Sequence, residues 1–287
     1  MIGYLLILLF TLINLGESVI VRTYARRHGS GGLFLSAITS LFASVFFIVT
    51  DKGGFYVPTE MLILAIINAC LIGVGFYGTF VAYQSGPYGF IRLIAGFYLV
   101  FTIFYGIVFL KEPTNALTYI GIAMVIAAMV LINYKKSDGK TEKSRSFKWL
   151  IWILLSTIAN GFIGIITRYQ QIRFDDACSN EFQFISFFGG FVFLAVIGFI
   201  VDRDKLSTVL KKGALYGFGA GVLNGAKNFL TLVIYLYLPI SVISPVKMGL
   251  GLIGSFAIAF LCYKEKYTKK QLIGVALGVV AIIILTI

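Results

Sequence analysis

Hydrophobic positions in this chain form long, nearly unbroken runs. They show neither the alternation of a half-buried strand nor the single apolar stripe of a surface helix. The runs cover residues 2–21, 33–50, 61–84, 88–110, 115–134, 148–168, 181–201, 213–238, 240–263 and 270–287, separated by polar turns. Nearly all approach the roughly 20 residues that a helix needs to cross a hydrocarbon core of about 30 Å. The pattern predicts an all-α polytopic membrane protein with ten transmembrane helices. Its only long polar connection, the basic linker 135–147, separates a five-helix unit at 1–134 from a second at 148–287.

The two units repeat one another. Leu110-Lys111-Glu112-Pro113, followed by Gly121-Ile122-Ala123, recurs as Tyr263-Lys264-Glu265-Lys266 followed by Gly274-Val275-Ala276. Asn14, Arg22 and Arg27 align with Asn160, Arg168 and Arg173, while Thr79, Tyr83 and Pro87 align with Thr231, Tyr235 and Pro239. With five helices per unit, the second unit starts on the side opposite to the first, so the repeats are inverted. Such repeats are a signature of transporters with a site between the halves. The first run lacks the basic leader of a signal peptide and has a partner helix in the second unit, so it is read as a retained span.

Composition agrees: 59% of residues are hydrophobic and 13% charged, with a mean hydropathy of +0.94, which makes the bilayer the solvent. The net charge of +12 calls for no nucleic-acid partner, because Lys and Arg gather in cytoplasmic loops. Arg22, Arg26 and Arg27, the central linker, Arg203, Lys205, Lys211 and Lys212, and Lys264 to Lys270 share one side of a ten-span arrangement. That side is read as cytoplasmic, with both termini outside, in a multi-pass protein of the cytoplasmic (inner) membrane.

Metal and cofactor chemistry find no footing in the sequence. Cys70, Cys178 and Cys262 are far apart and form no CxxC pair, so neither a disulfide framework nor a metal site is expected. The single histidine, His28, follows Arg26 and Arg27 in a basic cluster suited to headgroups rather than to general base catalysis. Gly249, Gly251 and Gly254 satisfy G-x-G-x-x-G, but they lie inside an apolar run with no preceding strand, so helix packing explains them better than dinucleotide binding. Gly217, Gly221 and Gly225 read the same way. Gly274 and Gly278 on the last helix can support a homodimer or pack inwards on the fifth helix. No residues group as nucleophile, base and electrophile, so no enzyme and no cofactor are expected.

The Lys-Glu turn before the last helix of each half, the Gly about nine residues on and the five-plus-five arrangement resemble the EamA-type branch of the drug/metabolite transporter superfamily over essentially the whole chain. The chain departs from that pattern in placing Lys111 and Lys264 where a Gly usually precedes the Glu, and in lacking a proline in the middle of the fourth span. Family members also often keep both termini in the cytoplasm, against the charge pattern here. The resemblance implies a central cavity lined by helices one to four and six to nine, with helices five and ten at the periphery.

Ionisable residues inside apolar runs are functional candidates by default, because each costs about 2.5 to 3.5 kcal/mol on insertion scales. Lys227 lies between Asn224 and Asn228 in the eighth run, Lys247 follows Pro245 early in the ninth, Arg92 sits early in the fourth, and Glu17 is the lone acid of the first, beyond Asn14. Three cations against one carboxylate favour a small anion, although Glu17 could instead neutralise Lys227 as a buried pair and Arg92 could snorkel to the interface. The triose-phosphate branch of the superfamily, with basic residues in comparable late helices, supports the anionic reading by analogy. Asn14, Asn160, Asn224 and Asn228 would supply neutral contacts, as would Tyr77 and Tyr235 among the 16 tyrosines; Tyr83, Tyr98 and Tyr105 offer the same group. Glu17 is also the candidate carrier of a coupling proton.

The expected function is therefore secondary active transport of a small organic metabolite, anionic or amino-acid-like, by alternating access. Gly86-Pro87 and Leu238-Pro239 are the expected hinges. A lipid or lipid-headgroup translocase and a non-transporting membrane subunit are the alternatives.

Overall fold

The computed structural model describes residues 2–50, 57–85, 91, 94–112, 115–132, 148–175, 178–263 and 268–286. Among these residues regular structure is entirely helical, as the runs predict: a backbone surrounded by lipid must satisfy its own N–H and C=O groups. The helices are α1 (Ile2–His28), α2 (Gly32–Thr50), α3 (Thr59–Ser85), α4 (Tyr98–Phe104, continuing as a π-helical turn over Tyr105–Phe109), α5 (Ala116–Ile132), α6 (Lys148–Arg173) and α7 (Ser179–Val201). After a 3-10 turn at Arg203–Lys205 come α8 (Leu206–Lys212), α9 (Ala214–Tyr235), α10 (Ile240–Tyr263) and α11 (Lys269–Thr286). Five of them, α1, α2, α3, α6 and α7, are long and apolar enough to cross a membrane, and shorter apolar stretches run through α4, α5, α10 and α11.

Hydropathy misplaced some ends. The first helix continues past the apolar run to His28, with Arg26 and Arg27 in its last turn, and α6 continues to Arg173; basic residues at a helix C-terminus complement the macrodipole. The basic stretch after Val201 holds α8, a short helix that hydropathy did not indicate. Helix α9, the helix of the eighth run, ends at Tyr235, and a turn leads to Pro239. Gly86, Pro87 and the Lys264 to Lys266 turn lie outside the described residues.

Packing is ordered. Helix α2 lies on α7 and α9, α3 on α6 and α7, α1 on α9 and α10, α4 on α6 and α10, and α5 against α11. Small residues make the closest of these contacts. A Cβ at Gly221 would fall 2.6 Å from both the Phe42 Cβ and the Thr39 carbonyl oxygen, so α9 seats its glycine face on the backbone of α2. Gly254, the last glycine of the G-x-G-x-x-G match, likewise admits the Leu15 side chain. On α11, Gly278 faces Ala128 of α5, so that stretch of the last helix is used within the molecule.

Two apolar clusters bracket the middle of the bundle. One, at the N-terminal end of α1, contains Ile7, Ile103, Ile234, Tyr235, Ile240 and Ile243. The other, at the His28 end, contains Tyr24, Leu35, Phe80, Tyr83, Ile91 and Ile153. His28 packs there, its ring centroid 5.0 Å from that of Tyr24.

Candidate functional site

Between these clusters lies a cavity of about 280 Å³, lined by residues of α1, α2, α3, α4, α6, α9 and α10. Tyr235 and Ile243 of the first cluster line one end, and Leu35, Tyr83, Ile91 and Ile153 of the second line the other. Polar groups on its wall divide into a charged side and a neutral side.

The charged side is built by α1, α9 and α10. Lys227 forms an ion pair with Glu17 and donates to Asn14 Oδ1 at 3.3 Å. Asn224, 1% exposed, donates from Nδ2 to the other Glu17 oxygen at 2.7 Å. Asn228 Nδ2 in turn donates to the Asn224 side-chain oxygen at 2.9 Å. The carboxylate is thus held by an ammonium and an oriented amide, the condition for keeping an ion pair in a desolvated site. One turn on, Thr231 donates to the Lys227 carbonyl at 2.9 Å and accepts from Lys247 Nζ at 2.8 Å.

Lys247 stands apart. It is 7% exposed, and among the described residues no carboxylate lies within ion-pair reach. Its ammonium sits 4.0 Å from the Phe10 ring centroid and 5.8 Å from that of Tyr235, in cation–π contact. Pro245, two residues earlier inside α10, has no N–H for the carbonyl one turn back and loosens the helix there.

The neutral side comes from α3 and α6. Ser156 Oγ donates to the Gly75 carbonyl and lies 2.8 Å from the Thr79 hydroxyl. Asn160 Nδ2 donates to the Ser156 carbonyl at 2.7 Å, which leaves its side-chain oxygen for the cavity. A third contact, Thr102 to Ser244 at 2.8 Å, ties α4 to α10.

Of the expected site residues, Asn14, Glu17, Asn160, Lys227, Asn228, Tyr235 and Lys247 meet on this one cavity wall. Asn224 stands behind it as the partner of Glu17. Tyr77 is placed elsewhere: it lines a separate apolar crevice with Leu33, Gly73 and Phe193 and packs edge-on to Trp152. Arg92 lies outside the described residues. Ser36, Thr39 and Phe10 line the cavity without having been singled out from sequence, and Thr231, which also lines it, was noted only as a repeat marker; hydroxyls and phenylalanines are common in membrane helices, and only the packing shows which of them face inwards.

Arg168, noted in the sequence as a repeat marker, has a structural role. Its Nη1 donates to the Tyr235 carbonyl at 3.3 Å, and its guanidinium lies 5.2 Å from the Tyr235 ring centroid. Gln171 Nε2 donates to the Leu232 carbonyl. Together they satisfy the C-terminal carbonyls of α9.

A bundle of long apolar helices around a central cavity that carries charged and polar groups on its wall suits a multi-pass membrane protein. The comparisons place it further. Residues 147–287 match the EamA-like transporter family, which belongs to the drug/metabolite transporter superfamily. A solved crystal structure of a protein shares the fold with a TM-score of 0.72 at 12% identity, covering 99% of this chain and 96% of the other. No curated protein matches the sequence.

Proposed function

We propose that the chain is a ten-span secondary transporter built from inverted repeats, 1–134 and 148–287, joined by the linker 135–147. In this reading it carries a small organic metabolite, anionic or amino-acid-like, across the cytoplasmic membrane by alternating access. The helix contacts support the repeat reading. Exchanging each of α1 to α5 with α6, α7, α9, α10 and α11 in turn maps α3 on α6 to α9 on α1, α2 on α9 to α7 on α3, and α1 on α10 to α6 on α4, and every one of these pairs is in contact. The observation that carries the function is the cavity itself: a chamber with charged and polar groups on its wall, lined by residues of both halves and with an apolar cluster towards each end. Opening one cluster while the other stays shut is alternating access in its simplest form.

The cavity volume of about 280 Å³ lies just below the roughly 300–1,000 Å³ usual for ligand sites, which favours a small metabolite over a lipid headgroup. Glu17, paired with Lys227 at the cavity wall, is the candidate for a coupling proton. The test is uptake of radiolabelled organic anions and amino acids into vesicles containing the purified protein, with and without an imposed pH gradient. Accumulation that responds to the gradient in the native protein but not in Glu17→Gln supports the reading, and absence of uptake under every condition defeats it.

A further inference from the structure

We propose that the cavity selects small monocarboxylates with an apolar body and no amino group, anchored by the Lys247 ammonium. The inference rests on the transporter reading above and narrows its substrate to one charge type. Its starting point is the inequality of the two cavity lysines. Lys227 is engaged by Glu17 and Asn14, so the one carboxylate and one of the ammonium groups on the wall satisfy each other. Among the described residues Lys247 makes a single hydrogen bond, to Thr231. An ammonium has three donors, and the others are directed among the Phe10 and Tyr235 rings and the cavity. The described wall therefore carries one uncompensated positive charge in a desolvated place, which a single carboxylate would neutralise.

The same geometry disfavours the other classes. An amino acid brings its own ammonium, and Glu17, the only carboxylate on the described wall, is already held by Lys227 and Asn224. The added cation would face two lysines without a counter-charge. A phosphate monoester brings close to two negative charges, whereas the described wall offers one ammonium not already paired with a carboxylate. A neutral analogue leaves Lys247 uncompensated. Ile243 and Met248 flank Lys247 on α10 and, with Phe10, form an apolar wall beside it, which sets the body of the ligand. Thr231 aims the ammonium across that wall and is a positioning residue.

The experiment is calorimetric titration of the full-length protein in detergent with two matched ligand sets. One set is 4-methylpentanoate, its amide, leucine and isopentyl phosphate; the other is 3-phenylpropanoate, its amide, phenylalanine and 2-phenylethyl phosphate. At least one carboxylate is expected to bind, with its amide, amino acid and phosphate weaker by about ten- to a hundredfold, the range for losing a charge-assisted hydrogen bond. Lys247→Met should abolish carboxylate binding and Lys247→Arg should retain part of it. Thr231→Val, which keeps the shape and leaves the ammonium unaimed, should weaken it several-fold. The proposal is overturned if neither carboxylate binds, if an amide, amino acid or phosphate binds as well, or if Lys247→Met folds and binds unchanged. Vesicle uptake separates the two layers. Accumulation of amino acids but not carboxylates sinks this inference and spares the transporter reading, whereas carboxylate binding without any transport does the reverse.

Discussion

The Glu17 and Lys227 pair decides much at the scale of single residues. Removing one partner of a buried ion pair leaves an uncompensated charge and typically costs roughly 3–5 kcal/mol, while removing both costs far less than the sum. Thermal unfolding of Glu17→Ala, Lys227→Ala and the double variant should therefore show a double that is no less stable than either single. Strict additivity would mean that the pair contributes little. The candidates at this scale were legible because charges inside apolar runs are rare, and Glu17, Lys227 and Lys247 do line one cavity. Tyr77 shows the limit. Depth along a helix is readable from sequence, but which side of the helix faces inwards is not, when every face is apolar. Phe76 and Thr79 of α3 line the cavity, and Tyr77 between them turns to Trp152.

Among the elements, the Lys-Glu turn after α4 gains a meaning that repetition alone did not supply. Both oxygens of Glu112 accept backbone N–H groups at the start of α10, from Ile240 and Ser241, each at 2.9 Å. The turn after one helix thus caps the N-terminus of another, from the other half of the chain, with a charge that complements the helix dipole. The π-helical turn at Tyr105–Phe109 brings it there, and Glu112 N–H bonds the Gly106 carbonyl at 3.1 Å. A Cβ at Gly106 would fall 2.6 Å from Glu112 Oε2, so this position has no room for a side chain. Gly106→Ala and Glu112→Ala are each expected to destabilise by about 1–2 kcal/mol, with the double less than additive because both act on one cap. A melting point unchanged in Glu112→Ala would remove the cap from the account. Helix identity was legible throughout the described runs. The ends and the short α8 were not, since hydropathy reports contact with lipid and helices continue beyond it.

For the molecule as a whole, the two apolar clusters make closure at each end a testable state. A Cβ on Gly3 would lie 3.2 Å from the Tyr237 Cβ, close to the roughly 3.5–4.5 Å that a disulfide spans. Gly3→Cys with Tyr237→Cys should therefore cross-link α1 to the end of α9 under oxidation, pin the first cluster shut and stop vesicle transport until a reductant is added. Transport that continues through the cross-link would show that this end need not open. At this scale the repeat leads one to expect contacts in matched pairs, and α3 on α6 with α9 on α1 is such a pair, whereas α10 on α11 has no counterpart of similar strength. The asymmetry of the site was less visible. Lys227 falls where the repeat offset places Gly75, so charge sits on one side of the cavity and hydroxyls and amides on the other. That lopsidedness has an electrical consequence. On the carboxylate reading proposed above, a lone ammonium at Lys247 would give the empty carrier an extra positive charge that the loaded carrier lacks, and a membrane potential would act on the return stroke at up to about 2.3 kcal/mol per 100 mV. One-for-one exchange would then be blind to voltage, and net flux would follow it.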